Sequence, residues 1–388
     1  MVRILIFGGG LQAISVARSL KEVGSYIVLV TKHDKVARSS RYIDKYIDIE
    51  DDRDLDTVLN TLKSIVKEYK IDVVFPMEDA QAESLSQCKD AIEKEGVKCA
   101  VMDWKVFSWV SDKTQLLSFC KQYDFPHPKT VKLIDGNLDE ASCYVGFPAL
   151  IKPDHSEGAK GITLVNSKSD LKEKHQLIES KYGACALQEY ISNKDYYYNV
   201  MLYRGFDGSF GNHCIIKILR YYPIGGGSSS LCVTIRNDAL LKLCSDVLEK
   251  IDWHGFADFD ILEKDDGDYR IIEINPRVPA SLRAAAISGI NFPEQIVSDL
   301  LKGEYPLYDY KPGKYLRYLG LDIAWFLSSP RRWSSRPSWF KFIGRNIHYQ
   351  EGGIKDLRAM LTSIVEGVKK QLNPEFRKEK GGINNLKE

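Results

Sequence analysis

Residues 255–277, GFADFDILEKDDGDYRIIEINPR, read as two strands joined by a tight turn. Asp266-Gly267 is the turn signal, because Asp and Gly tolerate the positive φ that two-residue hairpin loops need. With those two residues as the loop, paired residue numbers sum to 533, so Asp260 faces Glu273 and Asp258 faces Asn275. A four-residue loop over 265–268 keeps that register; a three-residue loop slips it. Glu273, Asn275 and Arg277 lie two apart and share a face. The hairpin is expected to gather Asp258, Asp260, Glu273 and Asn275 on one surface, with Arg277 at its edge.

Carboxylates placed directly opposite each other repel. A hard cation between them removes the penalty. Mg²⁺ is usually held by one or two carboxylates, the rest of its shell coming from phosphate oxygens and water. Asp260, Glu273 and Asn275 form such an all-oxygen set, with no His or Cys near enough to suggest zinc. The plain alternative is a solvated hairpin face, but apolar residues alternate with the acids as a half-buried strand requires.

Glu273-Ile274-Asn275-Pro276-Arg277, with Asp260 thirteen residues upstream, resembles the metal-binding signature of ATP-grasp ligases. The resemblance implies an α/β (α+β) fold. A Rossmann-like domain over 1–110 would precede a small lid subdomain over 111–190. An antiparallel-sheet catalytic subdomain over 191–310 and a C-terminal extension over 311–388 would follow. It implies that Asp260, Glu273 and Asn275 hold Mg²⁺ (or Mn²⁺) on ATP, and that Arg277 contacts the transferred phosphoryl group or acyl-phosphate.

A chain of 388 residues suggests two or three domains. A net charge of +1 gives no global field to recruit nucleic acid or membrane, and no recognised nucleic-acid module is present. There is no apolar run of about 18 residues, as a membrane span needs. The start, MVRILIFGGG, lacks the cleavage site of a signal peptide. Eight cysteines without a CxxC pair read as reduced structural thiols. A cytoplasmic protein is expected.

Residues 1–110 alternate strands (Arg3–Phe7, Tyr26–Val30, Asp72–Pro76) with helices (from Gly10, Asp56–Lys67, Ala80–Lys94), a doubly wound pattern with a parallel sheet. Gly8-x-Gly10-x-x-Ala13 fits a loose dinucleotide fingerprint, but Thr31-Lys32 stands where a ribose-binding acid is expected. A tight strand-to-helix turn explains the glycines, and a nicotinamide oxidoreductase is disfavoured. Pro76-Met77-Glu78-Asp79 lies just beyond a strand end, where ligands sit in such sheets. Glu78 is the substrate-contact candidate there, with a helix N-terminal acid as the equal alternative.

The nucleotide side is read mainly from the resemblance. Lys113, after the cap Ser111-Asp112, corresponds to a lysine that reaches the phosphates, and Lys152 to one that binds the α- and β-phosphates. A Lys at a strand end beside a glycine loop is also a sound phosphate ligand on its own. Ser156, Gly158 and Gly161 form that loop, whose amides could approach a triphosphate. Leu187-Gln188-Glu189-Tyr190-Ile191 resembles the adenine hinge: Gln188 or Glu189 would meet the exocyclic amine, and Ile191 would pack near the ring. Asp195 stands where the family usually has the ribose-binding Glu.

Lys217 and Arg220 end a strand before the Gly225–Ser230 loop. Exposed amides beside cations suit an anionic substrate or a developing acyl-phosphate, so Lys217, Arg220, Gly226 and Ser228 are candidates with Arg277. Arg283, early in a helix expected over Val278–Gly289, could assist a carboxylate or simply be solvated. A further helix is expected over Asn291–Gly303. In the extension, Arg331, Arg332, Arg336, Lys341 and Arg345 interleave with Trp333, Trp339, Phe340 and Phe342. That composition suits a weak contact with an anionic membrane surface or packing of the aromatics onto the core, which the interruption at Pro337 favours.

The expected activity is an ADP-forming carboxylate–amine ligase, resembling the D-aspartate-ligase type, that activates a small-molecule carboxylate as an acyl-phosphate. The alternatives are a carbamoyl-phosphate-synthase-like or carboxylase-like enzyme using bicarbonate, and a non-catalytic ATP-binding protein. The resemblance also allows a homodimer.

Overall fold

The computed structural model describes residues 1–49, 54–134, 136–154, 161–192, 196–224, 226–351 and 353–372. The first apolar runs form a parallel sheet of β1 (Arg3–Phe7), β2 (Tyr26–Thr31), β3 (Lys45–Asp48), β4 (Val73–Pro76) and β5 (Lys98–Cys99), in the order β3-β2-β1-β4-β5. The central strands β1, β2 and β4 are buried nearly throughout. Helices cover both faces, so their sequences run apolar without alternation.

The glycines after β1 have a specific use. The Asp34 carboxylate accepts the Gly10 N–H at 2.5 Å, and its other oxygen accepts the Val36 and Ala37 N–H groups at 2.8 and 2.9 Å. A carboxylate therefore already sits at the N-terminus of helix Gly10–Glu22, where the helix dipole favours an anion. A Cβ on Gly9 would lie 2.1 Å from Asp34 Oδ2. The glycine pattern serves this internal cap, three residues beyond the Thr31 at which the strand ends.

A four-stranded antiparallel sheet follows: β6 (Thr130–Lys132), β7 (Ala149–Pro153), β8 (Thr163–Val165) and β9 (Cys185–Glu189), ordered β6-β9-β7-β8. It packs its own small core around Leu133, Ile151, Leu171 and Leu187. The third sheet comprises β10 (Tyr197–Arg204), β11 (Phe210–Tyr222), β12 (Ser228–Ile235), β13 (Gly255–Glu263), β14 (Tyr269–Asn275), β15 (Tyr315–Arg317) and β16 (Ile347–Tyr349). Their order is β14-β13-β10-β11-β12-β15-β16. β15 and β16 come from the segment after residue 310, so that segment continues the large sheet. The helix expected over Val278–Gly289 is a 3₁₀ turn, Ala280–Leu282, leading into helix Arg283–Ile287. Helix Phe292–Lys302 is capped by Asn291, which accepts from the Glu294 N–H, and ends at Gly303 with φ +72°.

The β13–β14 hairpin pairs Asp258 with Asn275 and Asp260 with Glu273, but not by the expected loop. Near the turn the register is that of a three-residue loop: Glu263 pairs with Tyr269, and the Lys264 N–H donates to Asp268 O at 2.9 Å. A bulge between Asp260 and Ile261 then shifts the register, with Ile272 as the extra residue on β14. The bulge restores the opposition of the acids.

Arg220 was expected in the active site, and the structure corrects this. Its side chain is 2 % exposed and its Nη1 lies 3.2 Å from Asp322 Oδ2, an oxygen that Arg317 Nε approaches at 2.5 Å. Arg220 Nη2 also donates to Ser335 Oγ at 3.0 Å, and Trp339 Nε1 donates to Asp322 O at 3.0 Å. Arg220 stacks on Trp325, and Arg317 on Trp339 and Phe342. The cluster fastens helix Leu319–Ser328 to β11 and β15. Removing one partner of a buried ion cluster strands the remaining charge. Asp322→Ala should lower unfolding free energy by about 3–5 kcal/mol, read as a reduced denaturant midpoint at unchanged slope. A loss under about 1 kcal/mol, the range of exposed pairs, would contradict this role.

Candidate active site

One cleft of ≈ 1200 Å³ is lined by residues of the four-stranded and seven-stranded sheets and by helices packed on the first sheet, among them Leu11, Asp79 and Glu83. Its floor is two rows of polar side chains on the large sheet. Asn199, Asp260 and Glu273 are register partners across β10, β13 and β14. Asp258 and Asn275 face each other one pleat further along. Asn199 Nδ2 donates to Asp260 Oδ1. Burial and then the neighbouring Glu273 charge push the Asp260 carboxyl well above the usual range. Burial also acts to raise Glu273, but Lys113, a hydrogen bond with Asp260, and Lys152 outweigh it and hold Glu273 at about 2. Asp258 is 2 % exposed, its Oδ1 has no hydrogen-bond partner, and burial raises its pKa.

Two lysines stand over this floor. Asp112 caps helix Lys113–Gln122 by accepting from the Thr114 and Gln115 N–H groups, which fixes Lys113 as the first helical residue. Lys113 Nζ lies 2.9 Å from Glu273 Oε2, and that carboxylate raises the lysine's pKa. Lys152 is near the end of β7. Burial, then repulsion from Lys113, lowers its pKa to about 8. Among the described residues no three His, Cys, Asp or Glu side chains converge as a metal cage. Two carboxylates and an amide, beside the unpartnered Asp258 oxygen, instead form an open all-oxygen platform. Such a platform fits Mg²⁺ that takes the rest of its shell from phosphates and water.

The other predicted residues are placed unevenly. Arg277 Nε and Nη2 bind Asp79 at 2.6 and 3.1 Å, at the cleft wall. Asp79, Ala80 and Glu83 of the helix after β4 line the cleft, whereas Glu78, the exposed N-cap residue beside Asp79, does not. Gln188, Glu189, Tyr190 and Ile191 line the opposite end with Leu150, Leu262 and Ile272. There Gln188 Nε2 donates to Thr130 Oγ1 at 3.1 Å, and Glu189 is held by Lys264 at 3.0 Å and by the Lys129 N–H. Gly226 and Ser228 line the cleft. Gly161, at φ +72°, packs against Pro153 and Tyr182. Ser156, Gly158 and Asp195 lie outside the described residues.

Lys217 requires a correction. It pairs with Tyr198, whereas Ile216 pairs with Asn199, so alternation sends Lys217 to the face away from the acids. There its ammonium lies 3.4 Å from the Tyr196 ring centroid. Arg283 Nε and Nη1 are buried without hydrogen-bond partners, and Pro279, Ala280 and Ser281 line the cleft from this stretch. Sequence reasoning missed Asn199, Asp79, Tyr318 and Gln350, all of which line the cleft.

Comparison with known proteins agrees with this arrangement. A family described as ATP-grasp in the biosynthetic pathway with Ter operon matches residues 211–318, and a PylC-like N-terminal domain matches residues 4–100. The ATP-grasp match thus spans the β12–β15 region and includes the acid-bearing hairpin. The chain is 25% identical over 322 residues to a D-aspartate ligase of Enterococcus faecium (strain Aus0004), covering 76% of each. It is 23% identical over 210 residues to a phosphoribosylamine–glycine ligase of Pyrococcus abyssi (strain GE5 / Orsay), covering 51% of this chain and 45% of that one. Among solved folds it resembles the biotin carboxylase domain of the Hydrogenobacter thermophilus 2-oxoglutarate carboxylase, a complex with MgADP and bicarbonate. That match has a TM-score of 0.67 and 17% identity, over 81% of this chain and 73% of that one. It also resembles an N5-carboxyaminoimidazole synthetase from Staphylococcus aureus complexed with ADP (TM-score 0.66, 17% identity, 83% and 84% covered).

Lys152 sets a pH expectation for this cleft. Lys152 is charged below about pH 8 and loses its charge above it, so its attraction for phosphate weakens as pH rises. KM for MgATP should climb above pH 8, approaching about tenfold per unit if that charge dominates binding. Lys152→Arg, which stays charged, should flatten the profile. A profile flat through pH 9 in the unsubstituted protein would refute this.

Proposed function

We propose that this protein uses MgATP to activate a small-molecule carboxylate as an acyl-phosphate and transfers the acyl group to an amine. The observation that carries the reading is the juxtaposition of the two acid rows with Lys113 and Lys152 in a single cleft. That cleft continues past Arg277 to the Gly226–Ser229 loop and to Tyr318, Leu321 and Gln350. Asp260, Glu273 and Asn275 would hold the metal, and Mn²⁺ with similar oxygen preference would substitute. When bound, the metal supplies neutralisation of the phosphate charge that phosphoryl transfer requires. Lys113 and Lys152 hold the phosphate tail. The Leu150, Ile191, Leu262 and Ile272 walls receive the base.

A carboxylate oxygen attacks the γ-phosphorus and ADP leaves. The amine nitrogen attacks the activated carbonyl carbon, and phosphate departs with the oxygen contributed by the carboxylate. Arg277, released from Asp79, is the cation placed to meet the developing charge. Bicarbonate is the second reading, and it would use the same steps. The extent of the cleft beyond the acids and the likeness to D-aspartate ligase over most of both chains favour a larger carboxylate and an amine.

Phosphate release from MgATP, screened against pooled amino acids, dipeptides and bicarbonate, tests this reading. One pool should give turnover, and Glu273→Ala should reduce it by about 10–100-fold or more, the lower figures being those for loss of a metal ligand's partner. With the active carboxylate labelled with ¹⁸O, the label should appear in inorganic phosphate. Label-free phosphate would exclude the acyl-phosphate route.

A further inference from the structure

The segment 323–350 contains no Asp or Glu, and it carries Arg331, Arg332, Arg336, Lys341 and Arg345. Its aromatic residues split into two layers. Trp339 and Phe342 are the inner layer: the Trp339 indole N–H is bonded to Asp322 O, and both rings lie under Arg317. The outer layer is Trp333 and Phe340, stacked with centroids 5.8 Å apart and each meeting Phe326, at 5.3 and 5.8 Å. Trp333 is 73 % exposed, Phe340 56 %, Leu327 67 % and Ile343 92 %. Large apolar side chains standing this far into solvent beside one another mark a binding surface. Arg336, Lys341 and Arg345 are themselves exposed. The inner rings explain why the surface is rigid; they do not explain the outer ones.

We propose that this face, Leu327, Trp333, Phe340 and Ile343 with the cations around them, docks the protein on an anionic lipid bilayer. Trp and Phe insert at the headgroup boundary, and Lys and Arg are drawn to acidic headgroups within a Debye length. The run of cations without an acid is the charge complement of that surface and is unsuited to a second copy of itself. Helix Leu319–Ser328 connects the face to the active site: Gly320 and Leu321 line the cleft, while Phe326 and Leu327 belong to the aromatic face. Ten helical residues span about 15 Å, so docking brings the cleft near the bilayer, within reach of a substrate carried on it. The inference rests on the face and not on the proposed ligase reaction.

Co-sedimentation of the full chain with vesicles tests it. Retention should be at least about tenfold greater on phosphatidylglycerol–phosphatidylcholine vesicles than on phosphatidylcholine alone, and it should fall as salt rises. Trp333→Ser with Phe340→Ser should keep the thermal midpoint and MgATP binding but lose about tenfold in retention. Should that variant unfold, Arg336→Glu with Lys341→Glu and Arg345→Glu, all at exposed positions, must abolish retention instead. No retention on acidic vesicles at low salt, or equal retention of folded variants, would overturn the proposal. So would a lipid-free dimer that the Trp333 and Phe340 changes dissociate, because the face would then join two copies.

Discussion

Asp260 and Glu273 stand opposite each other on neighbouring strands, half-buried on the floor of the cleft. Such a pair cannot remain as two bare anions. Much of the surrounding structure answers that constraint. Asn199 donates from the next strand, and Lys113 is delivered by a capped helix start. Lys152 contributes from a separate sheet at the cost of a depressed pKa. The carboxylates, amide and ammonium groups hold one another in place. The low pKa of Glu273 beside the high one of Asp260 marks the same tension from the proton's side.

The parts of this site that lie within one hairpin were legible in the sequence. Alternation put Asp258 with Asp260, and Glu273 with Asn275, on common faces, and a turn dipeptide suggested how they meet. The opposition is right although the route to it is not: the loop slips the register and the extra residue Ile272 puts it back. Turn composition constrains a loop only loosely, whereas burial of one face fixes where the acids must lie.

What was not legible depends on pairing between strands distant in the sequence. Asn199 meets Asp260 only because β10 inserts beside β13, and Asp79 meets Arg277 only because the first sheet abuts the third. Lys217 and Arg220 looked like active-site cations because they precede a glycine-rich loop. The phase of β11 puts Lys217 on the far face, and Arg220 is consumed by Asp322. Asp34 escaped notice as an acid beyond a strand end that serves its own backbone. The segment after residue 310 read as an extension because strands of three residues carry almost no periodic signal, yet it supplies β15, β16 and part of the cleft wall.

Ser40, in the first domain, donates to the buried Asp356 at 2.5 Å, and the Arg41 N–H reaches the same carboxylate at 3.3 Å. This contact spans 316 positions of sequence and ties the two largest sheets to each other through the far end of the chain. A hinge between those sheets would have to break it, and the Asp79–Arg277 pair as well. The four-stranded sheet packs its own core and is tied to the large sheet through Glu189 and Lys264, 3.0 Å apart. The spacing between Lys152, carried by β7, and the acids of β13 and β14 therefore depends on how the small sheet seats on the large one, a joint separate from the Ser40–Asp356 tie.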